Sequence, residues 1–235
     1  MKVALLLFGQ PRYIEDNQSM SSYEKHIISK YDTDVFGHMW FEEGIKYQIS
    51  SWTYNAGLSD CTSVGRSDEI FRQRMNPKSL LVESPIDFNL KDQIGSIRAR
   101  FGDVQVGDVR NIYSQLNSIQ KVIRLFSEFS RDSEYDFIVL SRYDLIINNF
   151  PDLKNLDTNL LHLSNHHDFA DLIMVFGRRF IVWLENLYDD SLTGETIDML
   201  DKHYYPEGFK ETTFLKYFDR QYINYINMSS NTIRK

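Results

Sequence analysis

Val3 to Phe8 is an unbroken apolar run that stops at Gly9. Such a run, without alternation, predicts a strand covered on both faces, as at the centre of a parallel sheet. Pro11 lacks a backbone N–H and ends ladder pairing, so Gly9 to Tyr13 is expected to be a loop at the strand's C-terminal end. Ser19 to Lys30 is polar, with Tyr23, Ile27 and Ile28 spaced for one helical face. Asp34 to Trp40 reads as a second strand, and Leu80 to Glu83 as a short one before Pro85. Between them, Phe41 to Arg66 loses its pattern at Gly57, Ser59, Asp60 and Gly65. Lys91 to Asp108 is polar, broken by glycine and fits neither template. Residues 41–108 therefore read as an irregular excursion, the kind of segment that serves as a lid or an acceptor region.

Asn111 to Phe129 carries the clearest helical pattern, with Ile112, Leu116, Ile119, Ile123 and Phe126 at steps of four and three. Asp108 or Asn111 is placed to cap it. Tyr135 to Ser141, with Phe137-Ile138-Val139-Leu140, reads as a second fully buried strand that runs straight into Arg142-Tyr143-Asp144-Leu145-Ile146-Ile147. Asn159 to Leu163 and Leu172 to Phe176 predict two more strands; Phe180 to Tyr188 and Lys210 to Ile226 predict helices. Strands alternating with helices and buried on both faces imply one α/β domain over residues 1–235, with a mostly parallel central sheet flanked by helices. No repeat or linker divides the chain.

Composition narrows the function classes. The hydrophobic fraction is 42% and the charged fraction 25%, ordinary for a folded domain. The many aromatics, 16 Phe, 14 Tyr and 3 Trp, are read first as core filling and only second as ring-stacking surfaces. A net charge of −7 argues against non-specific nucleic-acid binding, which needs a basic footprint. A single cysteine, Cys61, rules out an internal disulfide and a cysteine-based zinc site, in keeping with a cytoplasmic location. The first apolar run is too short for a signal peptide, and no later stretch approaches the roughly 20 apolar residues of a membrane helix.

No glycine-rich dinucleotide fingerprint, P-loop or nucleophile elbow is present. In open α/β sheets ligands bind beyond the C-terminal strand ends. That rule selects Gly9-Gln10-Pro11-Arg12, His38-Met39-Trp40 and Ser141-Arg142-Tyr143-Asp144. Gly9 permits close backbone approach, and Arg12 offers either a fork for phosphate or carboxylate or merely an exposed turn residue. Arg142 and Asp144 follow buried apolar residues, so they either pair with each other or meet a ligand. At i and i+2 of an extended segment they share one face. Asp144 facing a cleft could hold Mg²⁺ or Mn²⁺, which in turn binds a diphosphate. His166, His167 and Asp168 read as a solvated loop, whereas Asp171 stands at the mouth of the strand that begins at Leu172.

These segments resemble a group of small glycosyltransferase-like proteins of bacterial surface-polysaccharide clusters and large viruses. The resemblance lies in Val3 to Tyr13, Val35 to Trp40, Asn111 to Ile119 and, most tellingly, Tyr135 to Leu145. Asp171 to Gly177 and Glu211 to Phe218 match more weakly, and residues 41–105 are uncovered. The resemblance implies a GT-A-type nucleotide-binding domain that uses a nucleotide-diphosphate sugar, usually with a divalent metal. The usual Asp-x-Asp metal motif departs here, because Arg142 replaces its first acid. Either Asp144 alone ligates Mn²⁺ or Mg²⁺, or Arg142 offsets phosphate charge itself.

The expected activity is therefore transfer of a sugar to a glycan or other hydroxyl acceptor. Arg142, Arg12 or a metal on Asp144 would stabilise the departing diphosphate. Gly9, Gln10, Pro11, Arg12, Tyr13, His38, Trp40 and Gln115 would line the nucleotide-sugar site. Asp171, then Glu211, would serve as the base that takes the acceptor's proton. The rival readings are a non-catalytic nucleotide- or carbohydrate-binding module and a sugar nucleotidyltransferase, the latter lacking its usual glycine-rich basic loop.

Overall fold

The first apolar run does form a strand with a parallel neighbour on each side. The computed structural model describes residues 1–12, 14–44, 46–47, 61–62, 65–101, 106–131, 134–164, 173–192 and 220–232. Its strands are β1 (Lys2–Gly9), β2 (Asp32–Trp40), β3 (Lys46–Tyr47), β4 (Cys61–Thr62), β5 (Ser79–Glu83), β6 (Phe137–Arg142), β7 (Leu145–Asn149), β8 (Leu161–Ser164), β9 (Ile173–Phe176), β10 (Ile223–Ile226) and β11 (Ser229–Thr232). The helices are α1 (Gln18–Tyr23), α2 (Ser67–Met75), α3 (Lys91–Phe101), α4 (Val106–Phe129), α5 (Ile181–Leu184) and α6 (Leu187–Ser191). Seven strands form one sheet in the order β10-β8-β9-β6-β1-β2-β5. Only β9 runs antiparallel to its neighbours, so the sheet is mostly parallel and the fold is α/β.

Alternate residues of the apolar strands feed two cores, which explains why the runs show no polar alternation. Ala4, Leu6, Phe8, Ile138 and Leu140 pack in one cluster with the α4 residues Ile112, Leu116, Ile119, Ile123 and Phe126. Val3, Leu5, Leu7, Phe137 and Val139 pack in the other, with Met20 and Tyr23 of α1 and Phe71 and Met75 of α2. The helical stripe read from the sequence is thus the buried stripe of α4. At Gly37 in β2 the second core packs directly on the sheet. A Cβ there would lie 2.7 Å from Leu80 Cδ1 and inside contact distance of Tyr143 Oη.

Several expectations are corrected. Helix α4 begins at Val106, so Asp108 and Asn111 lie within it rather than at its cap. Within 41–108 the described residues hold α2, α3 and the small β3–β4 ladder, besides β5 where a short strand was expected. The continuous segment expected from Tyr135 to Ile147 is broken by a turn at Tyr143–Asp144, after which β7 pairs antiparallel with β11 in a separate sheet. The helix expected over Phe180 to Tyr188 is divided between α5 and α6. Ile223 to Ile226, expected as the end of a helix, is the edge strand β10, as its β-branched and aromatic residues permit. Residues 210–219 of that expected helix lie outside the described residues. No described helix is long and apolar enough to cross a membrane.

The crowding at Gly37 gives a direct test of the fold. Gly37→Ala should destabilise the protein by about 1–3 kcal/mol through overpacking against Tyr143 and Leu80. Urea unfolding measures the change, and an unaltered midpoint would contradict the packing described here.

Candidate functional site

Strand β1 is joined to β2 on one side and to β6 on the other, both in parallel. The chain leaves β1 towards one side of the sheet and returns at β6 on the other, so the switch point lies between these two strands. A crevice is expected beyond the C-terminal strand ends at such a point. Phe8 is the register partner of Arg142. The Gly9–Arg12 loop and the Arg142–Asp144 turn therefore leave the sheet side by side.

The first of these segments is pinned from behind. Gly9 has φ +99°, a backbone conformation that favours glycine, and a Cβ built there would meet nothing within 4 Å. Its N–H donates to Ser118 Oγ of α4 at 2.8 Å. Pro11 is buried, and half-exposed Arg12 donates through Nε to Gln10 Oε1 at 2.8 Å. Gln10 and Arg12 thus arrive as a pair. Tyr13 lies outside the described residues.

The second segment is held by α1. Tyr23 donates its phenol to the Arg142 carbonyl at 2.6 Å and shares a 2.7 Å hydrogen bond with Ser141 Oγ. Ser19 Oγ donates to the Tyr143 carbonyl. Burial raises the Tyr23 phenol above its ordinary value, against the opposing hydrogen bond from Ser141, so it stays protonated. Arg142 continues the Ile138–Leu140 stripe. From there its guanidinium makes a two-pronged pair with Asp144, Nε to Oδ1 at 2.8 Å and Nη2 to Oδ2 at 2.5 Å. The Asp144 side chain is 5% exposed and that of Arg142 25%. Of the two alternatives read from the sequence, mutual pairing is the one observed.

His38 and Trp40 sit deeper than a ligand-lining role requires. Trp40 is buried in the α4 core, donates to the Ser114 carbonyl at 3.3 Å and carries Lys121 Nζ 4.7 Å from its ring centre. The His38 side chain is fully enclosed. Its Nδ1 lies 2.5 Å from Ser118 Oγ and its Nε2 2.9 Å from Glu83 Oε2, which also accepts from Lys121. One proton arrangement satisfies every partner. Ser118 accepts from Gly9 and donates to Nδ1, while Nε2–H donates to Glu83. Burial lowers the His38 pKa to about 4, against the raising effect of Glu83, so the imidazole is neutral. Partial burial pushes the Glu83 carboxyl up, but hydrogen bonds from Lys121 and His38 outweigh it and hold the group below its usual range.

Ser118, Glu83, Lys121 and Tyr23 are the site-supporting residues that motif reading passes over. Ser118 had one visible signal, a hydroxyl beside the apolar stripe of α4, one turn after Ser114. Gln115 is half-buried on the same helix. Asp171 and Glu211, the expected bases, lie outside the described residues, as do His166, His167 and Asp168.

The described residues do not fit a divalent-metal centre. Both Asp144 oxygens accept from Arg142. Among the described residues no three His, Cys, Asp or Glu side chains gather closely enough to hold a metal ion.

No family model and no curated protein matches the sequence. A solved structure to which the chain is similar is the glycosyltransferase GlyE of Streptococcus pneumoniae TIGR4, at 13% identity and a TM-score of 0.38. The alignment covers 96% of this chain and 44% of that one, so this chain spans less than half of that protein's length.

The enclosed histidine sets a pH dependence. Unfolding frees His38 to take a proton below its ordinary value of 6.5, which the folded protein refuses until about pH 4. Its contribution is therefore complete above pH 6.5 and is lost as the pH falls towards 4, by about 3 kcal/mol in all. The Glu83 shift acts lower, beneath that group's usual 4.5. Unfolding free energies measured across pH 4–7.5 should show this slope, and His38→Asn should flatten it. An equally steep profile in the variant would place the titrating group elsewhere.

Proposed function

We propose that the crevice between β1 and β6 binds a nucleotide-diphosphate sugar, and that the chain transfers the sugar to a hydroxyl acceptor such as a glycan. The observation that carries this reading is the register of Phe8 with Arg142, which sets two arginine-bearing strand ends side by side at the switch point. A diphosphate is a ligand class that arginines carried by two adjacent strand ends at such a place would recognise. Gly9 keeps the approach clear of a side chain, and Gln10 orients Arg12.

The reaction breaks the bond between the sugar's anomeric carbon and the diphosphate oxygen, which leaves with the bonding electron pair. The acceptor oxygen forms the new bond to that carbon and loses its proton to a carboxylate. Arg12 and Arg142 stabilise the charge growing on the leaving diphosphate. Asp171 is the first choice for the base and Glu211 the second, if transfer inverts the anomeric centre. A binding module without catalysis is the second reading. It is favoured by the Arg142–Asp144 pair standing where a metal-holding pair of acids would be expected.

Thermal shifts with nucleoside diphosphates and nucleotide sugars test the proposal. One base should raise Tm, by mass action on the folded state. Arg12→Ala should weaken its binding about tenfold, the loss of one charge-assisted contact. With the matching sugar nucleotide, Asp171→Asn should keep binding and lose turnover. Binding without turnover in the unaltered chain would select the module reading. No shift with any nucleotide would overturn the site.

A further inference from the structure

We infer that Arg142, clamped by Asp144, supplies at this site the positive charge that a bound divalent cation would otherwise supply, so that the nucleoside diphosphate binds without a metal. The inference rests on the reading of the crevice as a diphosphate site. Asp144 is the acid that the sequence offers for a metal at the end of β6, and its carboxylate is already committed. Each oxygen accepts from a different nitrogen of one guanidinium, and the side chain is 5% exposed. A metal ion on Asp144 would have to displace a two-pronged guanidinium partner. It would also place a dication beside a permanently charged arginine with one carboxylate between them.

The exposure is divided to match. Asp144 is sealed behind the pair, whereas a quarter of the Arg142 side chain remains accessible. The backbone beneath is rigidly held, because Tyr23 grips Ser141 and the Arg142 carbonyl while Ser19 grips the Tyr143 carbonyl. An arginine fixed on one side by a carboxylate and from below by its own main chain is a preorganised cation, and preorganised charge needs no rearrangement when the diphosphate arrives. In this arrangement Asp144 is a positioning residue. It sets the guanidinium plane and does not touch the ligand.

Calorimetric titration of UDP and GDP decides the point, run once in EDTA and once with Mn²⁺. The dissociation constant of the base that binds should agree between the two conditions within about threefold. Arg142→Gln should weaken it tenfold or more in both. Because Arg142→Gln alone leaves Asp144 buried without its partner, the double variant R142Q/D144N provides the folded comparison, a neutral pair of similar shape. It too should lose affinity. Arg142→Lys keeps the charge but loses the fork, and should recover only part of the binding. Binding that requires Mn²⁺, or wild-type affinity in the folded double variant, would overturn the inference while leaving the nucleotide reading intact. Absence of UDP and GDP binding under both conditions would overturn the two together.

Discussion

The parallel pairing of β1 with β2 on one side and β6 on the other is the constraint from which the rest of the molecule follows. A strand in that position has no exposed face and no free edge, so Val3 to Phe8 must be apolar throughout and must be covered by helices on both sides. The same pairing brings the C-terminal ends of β1 and β6 into register, and the space beyond such ends at a switch point is where an α/β sheet is expected to take a ligand. Gly9 to Arg12 and Arg142 to Asp144 become neighbours although about 130 residues separate them in the chain.

What holds that edge together is polar, and most of it is buried. Ser118 receives Gly9 from β1 and gives to His38 of β2, which gives in turn to Glu83 of β5, where Lys121 of α4 closes the circuit. Three strands and one helix are thus tied by side chains at the end where the ladder itself stops. Leaving any member unsatisfied would cost more than its bond contributes, because a buried polar group without a partner bears its whole desolvation penalty. The Arg142–Asp144 pair follows the same logic at the next strand end. Arginine and aspartate at the limit of a core are tolerable when each satisfies the other in a two-pronged geometry.

Much of the framework was legible in the residues. The unbroken apolar runs of β1 and β6 and the four-and-three spacing of Ile112 to Phe126 are local signals, and each corresponds to an element of the sheet or of α4. The turn at Tyr143–Asp144 was not legible, because Leu145 to Ile147 carry the apolar character onward. Only pairing with β11, about 80 residues later, makes that stretch a separate strand. Helix α3 is polar and contains Gly95, so periodicity did not distinguish it from a loop. At the site, the strand-end rule brought out Arg12, Arg142 and Asp144 from sequence alone. It could not tell a ligand-facing Arg142 from one paired with Asp144, since both satisfy a charge at a core boundary. His38 and Trp40 were read as lining residues for the same reason, yet their side chains turn inward to α4 and β5. Ser118 carries no motif, and its importance appears only when three elements converge on one hydroxyl.

The central claim is that the switch point between β1 and β6 is where a nucleoside diphosphate binds. Amide NMR spectra of the labelled protein, recorded during titration with the nucleoside diphosphates, test this residue by residue. The account predicts shifts concentrated on Gly9, Gln10 and Arg12 and on Ser141 to Asp144, fading along β1 towards Lys2. Shifts confined to the opposite end of the sheet, around the groove lined by Arg124, Ser130 and Arg178, or none at all, would contradict it.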